Sequence, residues 1–203
     1  MNKTELGTRF RDNISRVRNL AEIYESKITS AGSGRRPVGS ADVLRAAVVL
    51  LHATLEDFVR TISRELLPNQ NESVLDKVPL SGTAEHGRAE KFLLGKLVPF
   101  RGKTVNEVLS KSVADFLEHS NYNNPEELAA AIENVGLDKK KIEHLFVDLR
   151  KMMERRHVIV HRADRNPQSG KGYHKGQSLG AGHVNGWIDT VENFANEILK
   201  QLP

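Results

Sequence analysis

Cysteine is absent from this chain of 203 residues. That excludes a disulfide framework, a thiol nucleophile and any Cys-ligated zinc or iron–sulfur site. Long apolar runs are absent as well. The longest, Ala46 to Leu51, has six residues, far short of the ~20 that a membrane-spanning helix needs. Met1-Asn2-Lys3-Thr4-Glu5 carries no apolar signal region, so a cytoplasmic protein with no membrane partner is expected. No segment alternates with a period of two over a useful length, which argues against strands, and no internal repeat is present. The composition, 38% hydrophobic and 28% charged, fits neither a membrane-embedded nor a disordered chain. One domain with a sizeable core is the default at this length.

What is present is helical periodicity. Leu6, Phe10, Ile14, Val17, Leu20/Ala21, Tyr24 and Ile28 form one apolar stripe, the signature of a long amphipathic helix. Gly32-Ser33-Gly34-Arg35-Arg36-Pro37 breaks it. A second helix runs from about Ala41 to Leu67, opened by Ser40 as N-cap and stopped by Pro68. Its first half is apolar nearly all round and should be central. Its second half carries His52, Glu56 and Arg60 at four-residue steps. Beyond a loop, a short helix is expected over about 84–98. The capping box Thr104-Val105-Asn106-Glu107 opens the next, to about Glu118. Asn124-Pro125-Glu126-Glu127 opens another, closed by Gly136. Asp138 can cap a helix with the buried stripe Ile142, Leu145/Phe146, Leu149, Met152/Met153 and Ile159/Val160. Residues 163–182 read as a basic loop. Val184, Trp187/Ile188, Val191, Phe194/Ala195 and Ile198/Leu199 mark a last helix. The expected class is all-α, a single-domain bundle of about six or seven helices. Its core helices are about 41–67, 139–162 and 183–201, and the helices of about 84–135 are inserted between them.

The net charge is only +4, but it is unevenly placed. Residues 139–175 hold eleven Lys/Arg against four Asp/Glu, a net +7, which leaves −3 for the rest. One strongly basic helix and loop in a mildly acidic chain favours a polyanionic partner. Lys151, Arg162, Arg165, Lys171 and Lys175 are candidate phosphate contacts, and Tyr173, between the last two, is a candidate to stack on an unpaired base.

The basic helix ends in Glu154-Arg155-Arg156-His157-Val158-Ile159-Val160-His161-Arg162-Ala163-Asp164. At about 100° per residue, Glu154 and His161 nearly superimpose, His157 and His161 share a face, and Arg156 lies about 140° from His161. A histidine titrates near pH 6.5 and can give or take a proton at cellular pH. An arginine offers a charged planar fork to phosphate oxygens. Together they suit attack of a ribose 2′-OH on the adjacent phosphorus, with no metal or other cofactor. A single His161 cannot be base and acid at once. His157 or a second chain related by a twofold axis would supply the other group. Spacing alone leaves other readings open. Cations suit a helix C-terminus without any function, Glu154, His157 and His161 have metal-ligand spacing, and either histidine can be a satisfied, partly buried residue.

Arg156-His157-Val158-Ile159-Val160-His161 resembles the R-x(4–6)-H motif of the HEPN superfamily. The similarity includes a polar residue after the Arg, apolar residues before the His, and a late position in a long helix followed by one amphipathic helix. The closest resemblance is to the prokaryotic, defence-associated RiboL-PSP type, in which a helix carrying an acid in an apolar setting precedes the motif helix, as Leu51 to Phe58 does here around Glu56. The resemblance implies an α-helical bundle that dimerises around the motif and a metal-independent endoribonuclease leaving 2′,3′-cyclic phosphate ends. It also implies a toxin or antiviral role, with an antitoxin or defence-system partner to match. It makes Arg156 and His161 the motif residues. His157 stands where the family more often has Asn or Asp, and Arg155 also satisfies the spacing. Glu56 is expected either to orient His161, to pair with Arg156, or only to sit in the His52–Glu56–Arg60 ladder. A catalytically inactive HEPN module that binds RNA, a nucleotide or a protein is the alternative.

Overall fold

The computed structural model describes residues 2–30, 40–81, 94–165 and 177–202. Within them lie seven α-helices and no strand: α1 Lys3–Ser30, α2 Ser40–Leu66, α3 Glu72–Leu75, α4 Val105–Glu118, α5 Pro125–Asn134, α6 Phe146–Arg162 and α7 Ala181–Gln201. The all-α expectation holds.

The stripe on α1 is buried as its spacing implies, from Leu6 and Phe10 through Ile14, Val17, Ala21 and Tyr24. It packs on α2, where the Phe10 and Phe58 rings meet with centroids 5.0 Å apart. Helix α2 is the hub and touches α1, α4, α5, α6 and α7. Its near-continuous apolar character follows from that position, since a helix packed on several sides has little face left for solvent. One continuous cluster joins Leu44, Leu51, Phe58 and Ile62 of α2 to Leu149 and Met152 of α6 and to Val184, Ile188 and Phe194 of α7.

Local signals set most boundaries. Thr104 and Glu107 form both halves of the capping box at the start of α4. Asn124 accepts from the Glu127 N–H at the start of α5, with Pro125 in the first turn. Gly136, with φ +80°, ends that region in the left-handed conformation that glycine reaches without steric penalty.

Three features depart from the sequence reading. The expected loop after α2 contains a one-turn helix, α3, capped by Asn71. The helix expected over 84–98 falls mostly outside the described residues, and 94–100 is a 3₁₀ segment containing Pro99, which lacks the N–H an α-helix needs. The motif helix begins at Phe146 rather than at Asp138. Asp138 instead caps a 3₁₀ turn at Lys139–Lys141, and a second 3₁₀ turn follows at Glu143–Leu145. A three-residue repeat eclipses positions i and i+3, and that is the spacing of Ile142 and Leu145, both buried here.

Candidate active site

Helix α6 presents the motif. Leu149, Met152 and Met153 fix its buried side, and consecutive residues then point about 100° apart. Arg155 and Arg156, adjacent in sequence, therefore meet different surroundings.

Arg155 is locked. Its Nη2 lies 2.8 Å from Asp164 Oδ2 and 2.9 Å from the Gln177 carbonyl, and its Nη1 donates to Gln177 Oε1. Arg45 of α2 completes the knot. Its Nε donates to the same Asp164 oxygen at 2.6 Å, and its Nη2 reaches the Gln177 carbonyl at 3.2 Å. Asp164 is 0% exposed, and its second oxygen, Oδ1, is buried without a partner. Burial pushes the Arg155 guanidinium below its usual range and nearby Arg45 adds to this, while Asp164 opposes both. The knot also holds an unusual helix end. Ala163 and Asp164 have φ of +47° and +56°, a conformation that costs a non-glycine residue roughly 1–2 kcal/mol, and the Asp164 N–H closes the turn on the Val158 carbonyl at 3.1 Å. The Gln177 N–H then returns to the Asp164 carbonyl at 3.0 Å.

Arg156 is uncommitted. It projects toward α2 and is half-buried, and its Nε, like that of Arg155, is buried without a hydrogen-bond partner. Among the described residues no carboxylate forms an ion pair with it. Its charge is felt by His52, which burial above all, and Arg156 in addition, push below the ordinary histidine value against the opposing pull of Glu56. His52 is buried, with Nε2 3.0 Å from the Tyr122 carbonyl, so a neutral ring donates through Nε2 and leaves Nδ1 bare. Glu56 lies 3.6 Å from that Nδ1 and accepts from the Tyr122 N–H at 3.3 Å. Its contacts are thus with His52 and the chain before α5, rather than with His161 or Arg156. The ladder does not continue to Arg60, which donates to the Ser120 carbonyl at 2.9 Å.

His157 and His161 are both exposed, and their rings meet with centroids 4.6 Å apart and 44° between planes. Ile159 packs against the core, Val158 is half-buried, and Val160 is left 47% exposed between the Arg156 and His157 directions. Glu154, Lys151, Arg162 and Arg165 are exposed, with Lys151 Nζ 2.9 Å from Asp148. Lys171, Tyr173 and Lys175 lie outside the described residues. Among the described residues no three His, Asp or Glu side chains form a group able to hold a metal ion, so Glu154, His157 and His161 do not converge despite their spacing. No described helix is long and apolar enough to cross a membrane.

Arg45 and Asp164 were not singled out as partners by the sequence. The available signal was a lone cation in the apolar half of α2 together with an acid just past the motif.

Residues 11–203 match the model of one protein family, described as RiboL-PSP-HEPN. No curated protein and no solved structure matches the chain.

Proposed function

The chain belongs to the RiboL-PSP-HEPN family, a membership that points to nuclease or RNA-binding activity in general, and on that premise we propose that it is a metal-independent endoribonuclease acting as a homodimer. The observation that carries this reading is the contrast at Arg155 and Arg156. The first is ion-paired to Asp164, while the second has no ion-pair partner among the described residues and adjoins an exposed histidine pair. An uncompensated cation at a half-buried position is costly, and an incoming phosphate would offset that cost.

In the proposed step the ribose 2′-oxygen attacks the neighbouring phosphorus as its proton passes to one imidazole. The bond from phosphorus to the 5′-oxygen breaks, and a second imidazole protonates that oxygen. The products are a 2′,3′-cyclic phosphate and a 5′-hydroxyl. His161 is the principal proton-transfer group, and Arg156 neutralises charge on the pentavalent transition state. Such terms are worth roughly 10²–10⁴-fold each. Arg156 and His161 of one chain point in different directions. His157 or His161 of a second copy, docked over exposed Val160, would complete the arrangement. Lys151, Arg162 and Arg165, with Lys171, Tyr173 and Lys175, supply the cationic track for the strand. Glu154 and Glu56 support the site, Glu56 through His52. A cytoplasmic toxin or antiviral effector held by an antitoxin or defence partner is the role that fits.

The open geometry of a single chain also supports the second reading, a module that binds RNA without cutting it. Purified protein incubated with structured RNA, with and without EDTA, beside Arg156→Ala and His161→Ala, decides between them. Cleavage that survives EDTA and is lost in both variants supports the enzyme. Retained binding without cleavage selects the silent module. Cleavage abolished by EDTA overturns the metal-independent step, and cleavage by a protein that sediments as a monomer overturns the shared site.

A further inference from the structure

Between α6 and the start of α7 lies a cleft of about 420 Å³. That is within the range of small-molecule sites, roughly 300–1,000 Å³. One wall is aromatic. His183 and Trp187 stand one turn apart on α7, with ring centroids 6.4 Å apart and 47° between planes. Val158 and Leu179 supply apolar surface, and Glu154 and Lys151 line the α6 side. Trp187, expected only as a core residue, is not fully enclosed. The cleft therefore combines a π surface, a hydrogen-bond acceptor and a cation, which together match the face, N–H edge and backbone charge of a nucleotide.

Its position connects it to the motif. Glu154 and His161 point in nearly the same direction about 10 Å apart along the helix, and Arg162 lies one turn beyond Val158 on the cleft's own face. A strand with one base in the cleft would run its phosphates past Arg162 toward His161.

Resting on the RNA reading above, we propose that this cleft is a base-binding subsite, in which Trp187 and His183 stack against one unpaired base of the RNA strand and Glu154 accepts a hydrogen bond from that base's edge. Stacking of this kind is sequence-tolerant because every base has a π face, and Glu154 adds a preference for bases that present N–H donors.

Trp187 is the only tryptophan in the chain, so tryptophan emission, excited apart from the tyrosines, reports on the cleft alone. The test titrates the full chain with a 5′-labelled, fully 2′-O-methylated single-stranded oligonucleotide, which binds but cannot be cleaved. Label anisotropy and tryptophan emission are followed in the same samples. The expected result is saturable quenching with the midpoint of the anisotropy curve. Exposed His183→Ala and Glu154→Ala, which keep the tryptophan, should shift both midpoints upward, by roughly five- to a hundredfold for His183→Ala. Oligonucleotide bound with tryptophan emission unchanged would overturn the subsite and leave the RNA reading intact. No binding by either signal would overturn the RNA reading and the subsite with it. Equal quenching by a duplex of the same sequence would overturn recognition of an unpaired base. Mononucleotides that quench as tightly as the strand would reassign the cleft to a free nucleotide.

Discussion

Arg155 and Arg156 share a helix, a charge and a sequence neighbourhood, yet one closes a buried knot and the other faces an open surface. The difference comes from direction. A 100° step along α6 places one guanidinium against Asp164, Arg45 and Gln177 and the other against the half-open edge of α2. An arginine ion-paired to a buried carboxylate fixes geometry. An arginine with no ion-pair partner among the described residues is, on the proposed reading, the one that meets a substrate anion.

The knot side should give the largest response. Asp164→Ala removes the buried carboxylate that Arg45 and Arg155 share, leaving Arg155 only its bonds to Gln177 and Arg45 those to Gln177 and the exposed Asp42. Breaking a buried pair from one side typically costs about 3–5 kcal/mol, so chemical denaturation should show a loss of that order. A change below about 1 kcal/mol would mean that the knot is not what holds the end of α6. On the open side, Arg156→Ala should lower RNA cleavage by roughly 10²-fold or more while Tm stays level or rises, because the residue removed has no ion-pair partner among the described residues. A Tm drop matching that of Asp164→Ala would erase the distinction between the two arginines.

His52 gives a smaller effect, read through pH. Its folded-state value lies below the ordinary 6.5, so the unfolded chain binds the proton more readily. The neutral ring's contribution is complete above pH 6.5 and is lost as pH falls below that value toward the folded-state value. Urea denaturation at pH 7.5 and pH 5.5 should show that decline, and His52→Gln should flatten it. The smallest response belongs to the exposed Arg150–Glu126 pair. Arg150→Ala should leave Tm unchanged within error, since solvent screens such pairs, and a clear shift would show that the outer side of α6 is more constrained than it looks.

How much of this was legible in the sequence follows from the range of each interaction. The α1 stripe, the Thr104 box, the Asn124 cap and the stop at Gly136 are decided within a few residues, and each is where its pattern places it. An Asp cap suits a 3₁₀ turn as well as an α-helix, so Asp138 by itself does not place the start of α6. The local sign that favours Arg156 over Arg155 as the motif arginine is the polar residue that follows it. The physical reason for the contrast lies in Arg45, 119 residues from Asp164, and no local pattern reports a partner so remote. Glu56 shows the same limit. Its four-residue step from His52 was visible, but its bond to Tyr122 depends on how the chain enters α5.

The knot has one further consequence, for how such a protein can diversify. Asp164 and Gln177 are bonded to each other and to the same two arginines, so the two ends of the basic sequence between them are held at one fixed point. Lengthening a chain whose ends are already held together costs little, about 0.6 kcal/mol per doubling. The segment can therefore gain, lose or exchange residues while the turn that carries His161 stays in place. On the proposed reading, the choice of target and the chemistry at the motif can drift separately, with Asp164 as the hinge pin between them.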